Sequence, residues 1–333
     1  MSFLNPELGR APRSNEVCTH IPFCPCCLEP TPWQPHSDSR AGAVLSCKNC
    51  QTGRLTRVDK SLIHQQYDLQ DKHQAEIVQE GVRLYAEDAP ARRVAARNLL
   101  AKLQPHCQDQ EEIRLLDVGA HTGFLVEQAA AIGIDATGID VNPFAVDYGK
   151  NQLSLGERMI EADIMTFNPK DRFDAVVMAN ILGHLENPLE AVIKAAQLLD
   201  RDGYFLAQTP KFDNPFMKLP KPVSDNWRYF SDTYFWYFSE LGMRQLLTKN
   251  GFEVISISHS RRPITIPFLA ERALELIRIQ LLEPLEASHD VSMAKVHARL
   301  KAAIEKLRHS SLQDVNLDLG VLGDSMDVLA RKI

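Results

Sequence analysis

LLDVGAHTG, residues 115–123, joins an apolar run to a turn carrying two glycines, as expected where a buried strand hands over to a helix. Gly119 and Gly123 suit a backbone that bends sharply and lies close to whatever rests above it. Outward from this turn, short apolar runs alternate with helical segments: IRLLDVG, IDATGID, RMIEAD, FDAVVMAN and GYFLAQT. Five strands separated by helices predict an α/β fold, a doubly wound, mostly parallel sheet. A helical pattern from Glu240 to Lys249, the strand-like GFEVISIS and the closing MDVLARKI follow.

In such a sheet, ligands bind at the carboxyl ends of the strands, facing the N–H groups of a turn and the start of a helix. Asp140 ends IDATGID about twenty residues after the turn, the spacing at which a carboxylate bonds both hydroxyls of a ribose. A dinucleotide fingerprint, G-x-G-x-x-G, fails here: counted from Gly119, its second and third glycines fall on His121 and Phe124. Asp117, at the end of the first strand, would repel a pyrophosphate but attract the ammonium of an amino-acid cofactor. Electrostatics favours S-adenosylmethionine over NAD.

Residues 113–258 resemble the class I S-adenosylmethionine-dependent methyltransferases, whose fold is a Rossmann-like sheet. LDVGAHTG looks like their glycine turn, GIDVNP like their ribose-binding strand end, EADI like their adenine-contacting segment, and FDAVVMANILGHLENP like their fourth strand and following loop. The resemblance assigns Asp117 and Gly119 to the methionine end of the cofactor, with Ala120, His121 and Gly123 completing the turn. It gives Asp140 and Val141 to the ribose, Asp163 with Ile164 to the adenine, and Asn180 to the floor near the sulfonium. His121 departs from the family, which has a glycine there, and its ring must be accommodated by the turn. Tyr67 and Tyr85 match in position tyrosines that cover the cofactor in similar enzymes, and Tyr67 is taken as a lid candidate.

Six of the seven cysteines lie in the first fifty residues, a clustering that points to a metal rather than to disulfides. Cys24 and Cys27, then Cys47 and Cys50, form two C-x-x-C pairs at the spacing of a zinc ribbon. Four thiolates give Zn²⁺ a closed shell without a water position, so the metal is expected to be structural. Cys18, His20, Cys26 and His36 are the spare candidate ligands, and Cys107 stands apart.

The chain of 333 residues is read as a zinc ribbon over 1–56, a helical linker or lid over 57–110 and the cofactor-binding domain over 111–260. A helical insertion over 261–322, read as a lid or homodimer surface, precedes the last strand at 323–333. No apolar run is long enough to span a bilayer, and MSFLNPELGR has no secretory character, so the expected location is the cytoplasm. The net charge of −6 argues against a nucleic-acid partner.

Methyl transfer is an in-line displacement, so the acceptor must be aligned, kept from water and, where protonated, deprotonated. His184, in GHLENP, is the candidate base; many resembling enzymes have Glu-His at this point, and here the Glu is replaced by Gly183. The aromatic run NWRYFSDTYFWYFS follows the fifth strand at the ligand edge and divides between pocket lining and core. The expected activity is methylation of a small molecule, resembling the ubiquinone-pathway O-methyltransferases and zinc-bearing sugar C-methyltransferases. The alternatives are an RNA methyltransferase that grips RNA with its ribbon, and a binding or scaffold protein that has lost catalysis.

Overall fold

The computed structural model describes residues 23–30, 33–39, 41–56, 72–107, 112–218, 224–225, 227, 229–231, 233–259, 264–265, 316–317 and 324–333. Tyr67, Cys18, His20 and nearly all of the 261–322 insertion lie outside the described residues. Among the described residues, no helix is long and apolar enough to cross a membrane.

Three short antiparallel strands open the fold: β1 (Trp33–Ser39), β2 (Gly42–Cys47) and β3 (Gly53–Leu55). Helices α1 (Lys72–Glu87) and α2 (Ala89–Leu103) lead into the main sheet. Its first half is β4 (Arg114–Val118), α3 (Phe124–Ala131), β5 (Asp135–Asp140), α4 (Pro143–Asn151) and β6 (Met159–Glu161). The chain then returns to the other side of β4 with β7 (Phe173–Ala179), α5 (Pro188–Leu198) and β8 (Leu199–Pro210). A two-residue strand β9 (Trp236–Tyr237), helix α6 (Glu240–Thr248) and β10 (Phe252–His259) follow. The pair β11 (Ile264–Thr265) and β12 (Asn316–Leu317) runs antiparallel, and β13 (Ser325–Lys332) ends the chain.

The seven-stranded sheet has the order β6-β5-β4-β7-β8-β13-β10, parallel except for β13, which runs antiparallel to both its neighbours. This is the doubly wound sheet expected from the strand runs, with MDVLARKI inserted between the fifth strand and GFEVISIS. Because the chain leaves β4 toward β5 and later returns to its other side at β7, the strand order reverses at the carboxyl end of β4, the place where open α/β sheets form their ligand crevice.

Alternation along each strand divides the core into two layers. Leu115, Val177, Leu206 and Leu329 face α2, α3 and α4 on one side, whereas Leu116, Val176, Phe205 and Val328 face α5 and α6 on the other. Helix α5 buries Ala191, Val192, Ala195 and Leu198 at helical spacing; a fully buried Val or Leu contributes about 1.5–3 kcal/mol. The two Asn-Pro pairs explain where helices begin. Asn142 Oδ1 accepts from the N–H of Phe144 and Ala145, and Asn187 Oδ1 accepts from Glu190, each followed by a proline that needs no donor.

The expected ribbon over 1–56 draws its fourth strand from elsewhere. β9 pairs with β3, Gly53 opposite Tyr237 and Arg54 opposite Trp236, so the small sheet runs β1-β2-β3-β9. Its cysteines share one apolar cluster with α5, α6 and the buried aromatics. The ribbon is thereby built onto one face of the main sheet.

Candidate functional site

At the carboxyl end of β4 the backbone turns through three left-handed residues: Gly119 at φ +73°, His121 at +50° and Gly123 at +85°. Glycine is required on two counts at the outer positions. A Cβ on Gly119 would lie 3.1 Å from Ile181, and one on Gly123 would lie 2.7 Å from Leu155. The N–H groups of Gly119 and Ala120 both donate to the carbonyl of Ile139, which ties the turn to the end of β5.

His121 stands where the resembling enzymes have glycine, and left-handed backbone costs a non-glycine residue roughly 1–2 kcal/mol. Its ring packs on Tyr85 of α1 at 4.0 Å, and the Arg92 guanidinium stands 3.9 Å from the centre of the same tyrosine ring. Its N–H donates to Asp140 Oδ2 at 2.8 Å. Burial, with Arg92 adding, pushes the imidazole down to about 4, so the ring is neutral at physiological pH. Of the two tyrosines considered as covers, Tyr67 lies outside the described residues and Tyr85 packs against the turn; sequence spacing did not show its contact with His121 or Arg92.

Asp117 is 3% exposed and has no ion-pair partner among the described residues. Loss of water around it, with repulsion from Asp140 adding, pushes its carboxyl up to about 7. Asp140 accepts through Oδ2 from His121 and through Oδ1 from the Asn142 N–H at 2.8 Å. Its carboxyl is also raised by burial, against the pull of these N–H groups. Val141, beside it, is exposed. Asp163 lies after β6, where its Oδ1 caps the N–H of Met165 at 2.8 Å; Ile164 is buried.

Asn180 follows β7 with a left-handed φ of +58°, and the next residue, Ile181, lies against Gly119. The Asn180 Nδ2 donates to Gln208 Oε1 at 2.9 Å, and its Oδ1 is buried without a partner among the described residues. His184 closes the short turn Leu182–His184. Its Nδ1 is 2.9 Å from the Thr233 carbonyl, which can only accept, so Nδ1 carries the hydrogen and Nε2 the lone pair. Burial lowers its pKa, and Tyr234 packs 3.9 Å from its ring.

The missing Glu before His184 has a steric reason. A Cβ on Gly183 would fall 2.7 Å from the Tyr234 ring and 2.8 Å from the Trp236 carbonyl, while the Gly183 carbonyl accepts from the Phe235 N–H. The ribbon side of the molecule occupies the space. Trp227, Phe230, Trp236, Tyr237 and Phe238 are all buried core, so within the aromatic run Tyr234 and Tyr229 are the partly buried rings.

At the ribbon, the four Sγ atoms of Cys24, Cys27, Cys47 and Cys50 lie within 4.8 Å of one another, all buried. A tetrahedral zinc with bonds of about 2.3 Å needs sulfurs about 3.8 Å apart. Cys24 and Cys50 are separated by 3.5 Å, and Cys27 and Cys47 by 3.7 Å. Helix α6 is fastened to both cysteine pairs: Ser239, its N-cap, donates to the Cys50 carbonyl, and Lys249 Nζ donates to the Cys27 carbonyl. Cys26 is buried beside the pairs, and His36 packs on Phe212 at 4.6 Å.

A family model described as a methyltransferase domain matches residues 85–257, just over half of the chain. The ubiquinone biosynthesis O-methyltransferase of Alkalilimnicola ehrlichii is 31% identical over 101 residues, 29% of this chain and 41% of that protein. That of Coxiella burnetii is 24% identical over 176 residues, covering 47% of this chain and 75% of its own length. In fold, the chain is similar to the magnesium protoporphyrin IX methyltransferase of Synechocystis PCC 6803 with bound S-adenosylhomocysteine. The TM-score is 0.51 at 13% identity, over 83% of this chain and all of that one. With this family match and the doubly wound sheet, the chain belongs to the methyltransferase-domain family and is a class I, S-adenosylmethionine-dependent enzyme.

Proposed function

We propose that the chain methylates a small molecule, using a cofactor held in the crevice above β4 and a structural zinc held by the ribbon. One observation carries the cofactor reading. Of the seven buried side-chain atoms without a partner among the described residues, four belong to the turn or to residues around it: Arg92 Nε, His121 Nδ1, Thr122 Oγ1 and Asn180 Oδ1. Polar atoms left unpaired in a protein interior carry a desolvation cost, and a polar ligand relieves it. Asp117 adds a buried carboxylate that a cation would return to its ionised form.

S-adenosylmethionine supplies an electrophilic methyl group on a sulfonium. In this reading Asp117 faces the ammonium and Gly119, Ala120, His121 and Gly123 form the bed of the methionine half. Asp140 and Val141 meet the ribose, Asp163 and Ile164 the adenine, and Asn180 forms the floor. Arg92, against Tyr85, is placed to meet a carboxylate. His184 takes the acceptor's proton on Nε2, its neutral form kept available by burial and its ring held by Thr233 and Tyr234.

The names of the ubiquinone biosynthesis relatives support a small-molecule acceptor. The ribbon's part is taken as mechanical: its thiol cluster suits zinc, and its bonds run to α6 and β9. The test is incubation with methyl-labelled S-adenosylmethionine and a cell extract divided into small-molecule, RNA and protein fractions. Label in the small-molecule fraction is expected, and label confined to RNA would overturn the reading.

A further inference from the structure

A row of polar side chains crosses three neighbouring strands on the face covered by α2. Asn180 Nδ2 donates to Gln208 Oε1 at 2.9 Å, and Gln208 Nε2 donates to Asp327 Oδ1 at 2.7 Å. The other oxygen of Asp327 lies 3.3 Å from Lys102 Nζ, which also donates to Ser258 Oγ at 2.7 Å. The row follows the register of the sheet, with Gln208 opposite both Ala179 and Asp327, and Asp327 opposite Ser258. Gln208 and Asp327 are buried, whereas the same face two residues farther from the crevice carries the apolar pair Leu206 and Leu329. Along this face the polar pair Gln208 and Asp327 takes over from the apolar one as the strands approach the carboxyl end of β8.

We infer that Gln208, Asp327 and Lys102 are positioning residues that hold the Asn180 carboxamide with its oxygen toward the crevice; the ligand side of this inference rests on the cofactor reading above. The direction of the chain follows from its end. A carboxylate paired with a lysine can only accept, so Gln208 must turn its NH₂ group to Asp327. Gln208 therefore offers its oxygen to Asn180, which must answer with its own NH₂. The atom of this row left over is Asn180 Oδ1, buried and without a partner among the described residues. A free asparagine presents either end to a ligand; this one presents the negative end of its dipole, which suits a cofactor whose methionine half carries positive charge.

Asp327→Asn removes the fixed end. The new carboxamide can donate to Gln208, which turns over and leaves Asn180 showing an NH₂ group to the crevice. Asn180→Asp places an acceptor-only group against Gln208 Oε1, a clash that disappears when Gln208 has been turned by Asp327→Asn. The single variants, the double variant and the native chain are compared by thermal unfolding without ligand, and by calorimetry with S-adenosylmethionine and S-adenosylhomocysteine.

Asp327→Asn is expected to bind S-adenosylmethionine about tenfold more weakly, the loss of one charge-oriented contact. Asn180→Asp is expected to lower the melting temperature by about 5 °C, and the double variant to regain most of that loss. Recovery by a second change is not expected of residues that only fill space. Native affinity in Asp327→Asn, or a double variant whose melting loss is the sum of the two singles, overturns the relay. Should Asp327→Asn fail to fold alone, recovery of folding in the double variant supports the relay and continued failure overturns it. A native chain that binds neither ligand removes the cofactor reading, while the ligand-free melting comparison still judges the relay.

Discussion

Raising the pH from 5.5 to 7.5 is expected to tighten S-adenosylmethionine binding roughly twentyfold, because only the ionised form of Asp117 attracts the ammonium. With its carboxyl pushed up to about 7 by burial and by Asp140, Asp117 is largely protonated at the lower pH. About 3% is ionised at pH 5.5 and about three quarters at pH 7.5, and the partial loss of the cofactor's own α-ammonium proton near pH 7.7–8.0 trims the gain. Affinity should turn down above pH 8. His121, pushed down to about 4, stays neutral across this window. Asp140 is also raised, so it acts in the same direction; Asp117→Asn separates the two by removing the acid limb due to Asp117. In the free protein the sign is reversed. A carboxyl raised from the ordinary range to about 7 keeps a proton that the unfolded chain releases, so its contribution to stability is lost as pH rises from about 4 to 7. Calorimetry in two buffers of different ionisation enthalpy should show release of about half a proton per cofactor bound at pH 7. Affinity independent of pH between 5.5 and 7, or an acid limb unchanged in Asp117→Asn, would refute the reasoning.

His184→Ala should slow transfer by about two orders of magnitude or more, as expected for removal of a general base, with S-adenosylhomocysteine affinity unchanged; near-normal turnover would remove it from the mechanism. Gly183→Ala should destabilise the fold by about 1–3 kcal/mol in chemical denaturation, since its methyl group would meet Tyr234 and the Trp236 carbonyl. A stability equal to the native protein would show that this loop yields freely. Zinc chelation, or Cys47→Ser, should loosen β9 and the His184 turn and cut transfer, while cofactor affinity stays within about threefold because the crevice above β4 is built from other elements. Proportional loss of both would show that the ribbon supports the whole sheet.

Most of the main sheet was legible because its signals are local. Apolar runs bounded by turns mark β4, β5, β7 and β8. The carboxylates at 117 and 140 followed from strand ends, and the cysteine pairs from spacing. β9 was not legible: two residues inside an aromatic run carry no alternation, and the pairing with β3 was decided by the cysteine-bearing module that needed an edge covered. The polar row escaped for a related reason. Gln208 and Asp327 meet across 119 positions, and alone each resembles an ordinary polar residue in a strand. The cost of His121 in the turn was visible in sequence, but the ring's resting place on Tyr85 depends on how α1 packs beside the turn.

The joining of β9 to β3 also constrains the order in which the chain can fold. Gly53 leaves the ribosome long before its partner Tyr237, so the first three strands and their thiols wait with an open edge while the cofactor half of the sheet is synthesised. Contacts of such long range raise the contact order and slow folding. The last bonds of the ribbon, from Ser239 and Lys249, can form only once α6 exists. The fourth strand of the small sheet and the bonds to the cysteine carbonyls thus come late, and a nascent chain cut before residue 236 would carry thiols without the strand and helix that shelter them.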